Sequence, residues 1–180
     1  PNTTSSQSYT VCGFTSTATT PNTTPYIAMT LIEVASSGAD LAELYSTEDK
    51  TIETGNLVSI DLKNGKYVTK SNKQYDKNLL GIVSTTPGLT LSDGTENSNA
   101  VMIALAGRVP VKVSTENGPI QAGDFLTSSS IPGVAMKATK AGNIVGQAIT
   151  PYNGQQIGEV IIFVKNGVSN GAKLNEILNN

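Results

Sequence analysis

Ile52-Glu-Thr-Gly55-Asn56-Leu57-Val58-Ser59 returns 68 residues later (120 − 52) as Ile120-Gln-Ala-Gly123-Asp124-Phe125-Leu126-Thr127. Both stretches place Gly before Asn or Asp, residue types that accept positive φ. A tight turn there hands the chain directly to an apolar run. Two further blocks follow in the same order. Tyr67-Val-Thr-Lys70 aligns with Val134-Ala-Met-Lys137, and Asn78-Leu-Leu-Gly81-Ile-Val83-Ser-Thr85 aligns with Asn143-Ile-Val-Gly146-Gln-Ala148-Ile-Thr150. The last offset is 65 (146 − 81), so a turn differs by three residues (68 − 65) between the copies. Each copy then runs through a polar Gly/Asn loop into an apolar strand, Val101-Met-Ile-Ala-Leu105 or Val160-Ile-Ile-Phe-Val164. The pattern predicts an all-β fold, a barrel or sandwich of two repeated β-modules at about 50–114 and 118–167, inside a domain spanning 35–169. Each module has an apolar face that it cannot bury alone; packing face to face, or closing as one barrel, buries both.

Local signals refine this picture. Asn64-Gly65 between Asp61-Leu62 and Tyr67-Val68 signals a hairpin turn. Gly81 and Gly146 inside apolar strands predict a bulge or a close backbone approach. Pro110 within Gly107-Arg-Val-Pro-Val-Lys-Val113 predicts an edge strand or a bulge. Residues 89–100 read as a polar surface loop. Residues 1–34 read as an extended arm, with a strand at 26–34 (Tyr26-Ile-Ala-Met-Thr-Leu-Ile-Glu-Val34). The tail, 170–180, has apolar residues at spacings of three and four in Ala172-Lys-Leu-Asn-Glu-Ile-Leu-Asn179, which fits a short helix.

Composition removes several function classes. Of 180 residues, 14% are charged, and the net charge is −2 from 12 basic and 14 acidic side chains, with no basic cluster. That argues against a nucleic-acid partner. No apolar run approaches a membrane span. The chain has no histidine and one cysteine, Cys12, which excludes the usual zinc sites and any Cys-His or Ser-His-Asp catalysis. Cys12 reads as a small unreactive residue. No nucleotide fingerprint is present, so neither a cofactor nor a metal is expected. The first residue is Pro1 rather than an initiator Met, the expectation for a fragment or a processed product.

One constellation could carry chemistry. Gly38-Ala39-Asp40-Leu41-Ala42-Glu43 precedes the first module. Asp40 and Glu43 share a face on a helical turn but not on a strand; two nearby carboxylates can create a general acid or base. The plainer alternative is a turn Asp and a solvated Glu. Arg108, the only arginine, can hold a carboxylate in bidentate geometry, with Asp40 or Glu43 as candidate partners and a surface role as the alternative. Aromatic residues make up 5% and include no Trp, a poor endowment for stacking on sugars or bases.

Asp40-Leu-Ala-Glu43-Leu-Tyr45, Gly55-Asn-Leu-Val-Ser59, Asn78-Leu-Leu-Gly81-Ile-Val-Ser-Thr-Thr-Pro87, Leu105-Ala-Gly-Arg-Val-Pro-Val-Lys-Val113 and Gly123-Asp-Phe-Leu126 occur in that order. Over about 38–165 this set resembles the C-terminal domains of phage tail fibres, tail spikes and neck appendages, and of fibre-like proteins of bacteria. Such domains act as intramolecular chaperones that drive trimerisation and then cut themselves off. The resemblance implies a homotrimer on a virion or an extracellular cell-surface fibre, with 1–34 as the end of the fibre shaft and more shaft N-terminal to Pro1. The self-cleaving relatives read Ser-Asp-x-x-Glu at the processing site. Asp and Glu carry over onto Asp40 and Glu43, and the Ser falls on Ala39, which has no nucleophile. The expectation is therefore a structural, non-cleaving domain, either a natural branch or a precursor trapped by replacing the Ser. Two alternatives stay open: an active autoproteolytic peptidase using Asp40 and Glu43 with another nucleophile, and an adhesin that binds cell-surface glycan through loops 86–100 and 151–157.

Overall fold

The computed structural model describes residues 39–171. The expected arm at 1–34, Cys12 and the tail helix at 172–179 lie outside the described residues. Ten strands follow one another: β1 (Asp40–Tyr45), β2 (Leu57–Ile60), β3 (Val68–Lys70), β4 (Leu79–Val83), β5 (Leu89–Leu91), β6 (Val101–Val113), β7 (Phe125–Ser128), β8 (Ala135–Lys137), β9 (Ala141–Ala148) and β10 (Gly158–Asn170). The described residues contain no helix, so none is long and apolar enough to cross a membrane. The fold is all-β, as the short β-branched runs between Gly, Asn and Pro dictate.

All ten strands join in one hydrogen-bonded sheet, with β6 at its centre. The second half of β6 pairs antiparallel with β10, β10 with β9, β9 with β7 and β7 with β8. A parallel pair, Val113↔Ala135, returns β8 to β6 and closes the circuit. The first half of β6 pairs antiparallel with β1 and β4, β4 with β2 and β2 with β3. Here a parallel bridge, Ser46↔Tyr67, links the end of β1 to the start of β3. The aligned Gly-Asn and Gly-Asp turns make matching hydrogen bonds. Gly55 N–H donates to Val83 O (2.9 Å) and Val83 N–H to Asn56 O (2.9 Å); Gly123 N–H donates to Ala148 O (2.7 Å) and Ala148 N–H to Asp124 O (2.8 Å). Each turn is tied by its own side chain, with Asn56 Oδ1 accepting from Glu53 N–H at 2.9 Å and Asp124 Oδ2 from Gln121 N–H at 2.7 Å. Gly55 (φ 75°) and Gly123 (φ 94°) supply the positive φ.

The core is aliphatic. One cluster joins Leu57, Ile82 and Ala104 to Val109, Val111, Leu126, Val145 and Ile162, among others. A smaller one holds Val58, Val68, Val83 and Ile103. Neighbours such as Leu57 and Val58 belong to different clusters because strand side chains alternate faces. Gly81 and Gly146 admit the close approaches expected of them. A Cβ on Gly146 would overlap the Phe163 carbonyl oxygen, and one on Gly81 would lie 2.7 Å from Ile103 Cγ2. The ladder slips beside both, between Val58 and Ser59 and between Val164 and Gly167.

Three local expectations are modified. The apolar run 101–105 and the run 107–113 form a single strand, β6. Pro110 is tolerated there because β10 is its one strand partner, through Ile161, leaving an edge where its missing N–H is not needed. Leu89–Leu91, inside the expected polar loop, forms a short strand that pairs parallel with β1. Asn64-Gly65 lies in the β2–β3 hairpin, but neither residue has positive φ. The connection instead runs over 61–67, closed by Asp61 N–H donating to Tyr67 O at 2.8 Å.

Asp76 anchors its loop through a buried carboxylate and ties the two halves together through its backbone N–H. Asp76, 9% exposed, accepts at Oδ2 from the Ser59 hydroxyl (2.8 Å) and at Oδ1 from Asn78 N–H (2.9 Å). Its own N–H donates to Ser128 Oγ on β7 (2.8 Å). Asp76→Ala leaves a buried hydroxyl and a backbone donor without their acceptor. Hydrogen bonds to charged groups contribute about 1.5–3 kcal/mol, so the variant should lose roughly 3 kcal/mol in urea unfolding, with Asp76→Asn losing less.

Candidate functional site

The segment Ala39–Glu43 enters the sheet against the midpoint of β6. Asp40 lies opposite Gly107 and Leu41 opposite Ala106, but Ala42 lies opposite Ala104. Leu105 is thus an extra residue on β6, and the bulge ends regular pairing where β1 begins. Ala39 O accepts from Arg108 N–H (3.1 Å), and Asp40 O accepts from Gly88 N–H (2.8 Å). Gly107 has φ 111°, and a Cβ on it would overlap the Ala39 carbonyl oxygen and the Asp40 backbone. Only glycine combines that φ with that clearance.

Asp40 is 9% exposed, and its Oδ2 has no hydrogen-bond partner. It borders a cleft of about 150 Å³ lined by Ala39, Ser84, Thr85, Thr86 and Arg108. The Ser84 hydroxyl there is likewise buried and unpartnered. At position 39 the cleft carries a methyl group, and Asp40, Ser84, Thr85, Thr86 and Arg108 border the place where the resemblance puts a nucleophile. Among the described residues no group of three Asp, Glu, Cys or His side chains could hold a metal ion.

Glu43 is elsewhere. Residues 40–45 form a strand, so side chains three apart project to opposite sides. Glu43 Oε2 accepts from the Tyr45 hydroxyl at 3.0 Å. It borders a different cleft, of about 290 Å³, with Tyr45, Lys66, Tyr67, Asp93 and Glu96. Burial raises the Tyr45 phenol above its ordinary pKa, and the neighbouring Glu43 raises it further. Asp40 and Glu43 are therefore not brought together as a carboxylate pair. Arg108 lines the Asp40 cleft, but the ion pairs among the described residues are Lys112–Glu53 (2.5 Å) and Lys137–Asp124 (2.8 Å). Arg108 holds the segment through its backbone N–H, not through a bidentate carboxylate contact. Ser84–Thr86 and Gly107 were not legible as site residues. Their only trace is the polar Ser-Thr-Thr run after an apolar strand and a Gly before the lone Arg.

No protein-family model matches the chain, and no curated protein matches it. Solved structures do match. The pre-mature bacteriophage phi29 gene product 12 is 19% identical, with a TM-score of 0.54 over 77% of this chain and 23% of that one. The C-terminal fragment of bacteriophage phi29 gene product 12 is 20% identical, with a TM-score of 0.51 over 70% of this chain and 100% of the fragment. The chain thus spans less than a quarter of the pre-mature protein's length, and at these identities the likeness is one of fold.

Gly107→Ala forces an unfavourable φ and a backbone overlap at once. It should cost roughly 2–3 kcal/mol in chemical unfolding. In hydrogen exchange the amides of Gly88 and Arg108, which hold β1 in place, should lose protection first.

Proposed function

We propose that this chain is a structural, assembly-directing domain of a phage tail appendage or fibre, working as a homotrimer on the virion and remaining uncut. The observation that carries the reading is the fold likeness to the complete C-terminal fragment of phi29 gene product 12. Two features of the site support it. The β1 entry is backbone-clamped between Gly88 and Arg108, as befits a segment joining the domain to whatever precedes it. The side chain at position 39 is a methyl, which cannot attack a peptide carbonyl. Asp40 retains the place of a proton acceptor beside it, so the site has the frame of a cleavage site without its nucleophile.

A glycan-binding role is the second reading. It is favoured by the Tyr45, Tyr67, Asp93 and Glu96 cleft next to loop 86–100, because carboxylates accept from sugar hydroxyls and tyrosine rings offer apolar faces. A glycan array without specific hits removes it.

Intact-mass measurement tests the uncut state. The purified protein should keep its full mass through prolonged incubation. Ala39→Ser should cut the chain at the peptide bond between residues 38 and 39: the new hydroxyl passes its proton to Asp40 and attacks the Gly38 carbonyl carbon, the residue-39 nitrogen leaves as a protonated amine, and water hydrolyses the ester so formed. An Ala39→Ser chain that stays whole argues against the inherited mechanism, and fragments from the unaltered protein reverse the uncut reading.

A further inference from the structure

Asn-Gly occurs five times, at 64–65, 117–118, 153–154, 166–167 and 170–171. The pair carries latent chemistry, because glycine has no Cβ to block attack by its own nitrogen on the preceding carboxamide. The attack needs the carboxamide turned toward that nitrogen, an uncommitted N–H and slack in the glycine backbone. The fold withholds one or more of these from four of the pairs. Asn117 is half-buried, its Nδ2 donates to Lys137 O at 3.0 Å, and Gly118 N–H is committed to Thr115 O at 2.8 Å. Gly154 is wedged in place: its carbonyl accepts from the Thr115 hydroxyl at 2.9 Å, and a Cβ on it would overlap the Tyr152 phenol. Asn166 Nδ2 donates to Leu80 O at 3.0 Å, and Gly167 lies in the β10–β9 ladder opposite Ile144. Asn170 lies in the same ladder opposite Ala141, and Gly171 N–H donates to Ser169 Oγ at 3.2 Å.

Asn64-Gly65 differs in each respect. Both residues are exposed, in the connection between β2 and β3. Gly65 N–H makes no hydrogen bond among the described residues, and a Cβ on Gly65 would meet nothing within 4 Å. Asn64 Oδ1 accepts from Lys66 N–H at 3.4 Å. This Asx turn folds the carboxamide back over Gly65, the residue between them. The same N–H points at the oxygen on which negative charge develops as the ring closes. Asn64 itself is held on both sides, its N–H donating to Asp61 O (3.2 Å) and its carbonyl accepting from Tyr67 N–H (2.8 Å), which keeps the turn in place.

We propose that Asn64-Gly65 is a site of spontaneous covalent modification, deamidating through a cyclic imide while the other four pairs stay intact in the folded chain. The Gly65 nitrogen gives its proton to solvent base and bonds to Asn64 Cγ. The Cγ–Nδ2 bond breaks, and Nδ2 leaves as ammonia with a proton from solvent. Water, the one co-reactant, then opens the ring at either carbonyl and leaves aspartate or isoaspartate at position 64. The new carboxylate stands on the rim of the 290 Å³ cleft, which Gly65 and Lys66 line together with Glu43, Asp93 and Glu96. One negative charge is thereby added irreversibly beside three existing carboxylates, in a chain whose net charge is −2. The isoaspartate form also lengthens the β2–β3 backbone by one carbon. None of this depends on the assembly role proposed above.

Peptide mapping by tandem mass spectrometry tests this on the full chain, incubated at mildly alkaline pH either folded or unfolded in urea. In the folded protein the peptide holding Asn64 should gain one mass unit, NH2 being replaced by OH, while the other four Asn-Gly peptides keep their mass. The rate should rise with pH, because the attacking nitrogen must lose its proton. Unfolded in urea, all five pairs should convert at comparable rates. Gly65→Ala should suppress the change by placing a methyl beside the attacking nitrogen. The same variant should leave the Tm unaltered, since that Cβ meets nothing and φ there is not positive. A folded chain in which another Asn-Gly pair converts first, or in which all five convert together, overturns the assignment. So does a folded chain whose Asn64 keeps its mass over the time in which the unfolded chain converts it.

Discussion

The structure depends on one strand serving two sets of partners. The first half of β6 belongs with β1 and β4, and its second half with β10 and β8. No other strand touches both sets so extensively, and the larger core cluster is filled from both sides of this handover. A 13-residue strand cannot keep one regular register across such a change of partners. The irregularity is concentrated at Leu105–Gly107, where the ladder slips and φ turns positive. The strain is local because glycine stands where a side chain would collide with the incoming segment.

That same point is where the candidate site lies. Ala39 and Asp40 can approach β6 at Gly107 and Arg108 because Gly107 has no Cβ to collide with them. Backbone bonds from Gly88 and Arg108 hold the Ala39–Asp40 segment, and none of them depends on the side chain at position 39. The Asp40 Oδ2 and Ser84 Oγ atoms beside it are buried without a hydrogen-bond partner, as are the Ser71, Ser114 and Thr127 hydroxyls elsewhere in the fold.

The division of side chains between inside and outside points the same way. Valine, isoleucine, leucine and alanine fill an interior that leaves little width for rings. Phenylalanine is placed on the outer face of β7 and β10, next to the lone arginine. Stability comes from many small aliphatic contacts and from the Asp76 tie between the halves.

Much of the fold could be read directly from the chain. Period-two apolar runs fix strands, Gly-Asn and Gly-Asp fix turns, and a glycine inside an apolar run signals close backbone approach; each of these is a property of a few adjacent residues. The fates of Asp40, Glu43 and Arg108 were not readable in the same way. Spacing left Asp40 and Glu43 on a shared face or on opposite faces according to whether the segment was helical, and pairing with β6 made it a strand. The direction of Arg108 and the outward turn of Phe125 and Phe163 follow from register between strands up to some 55 residues apart (163 − 108). A shift of one residue in that register would exchange every inward and outward side chain, so only the tertiary structure, through the core it must fill, decides which residues are left to act.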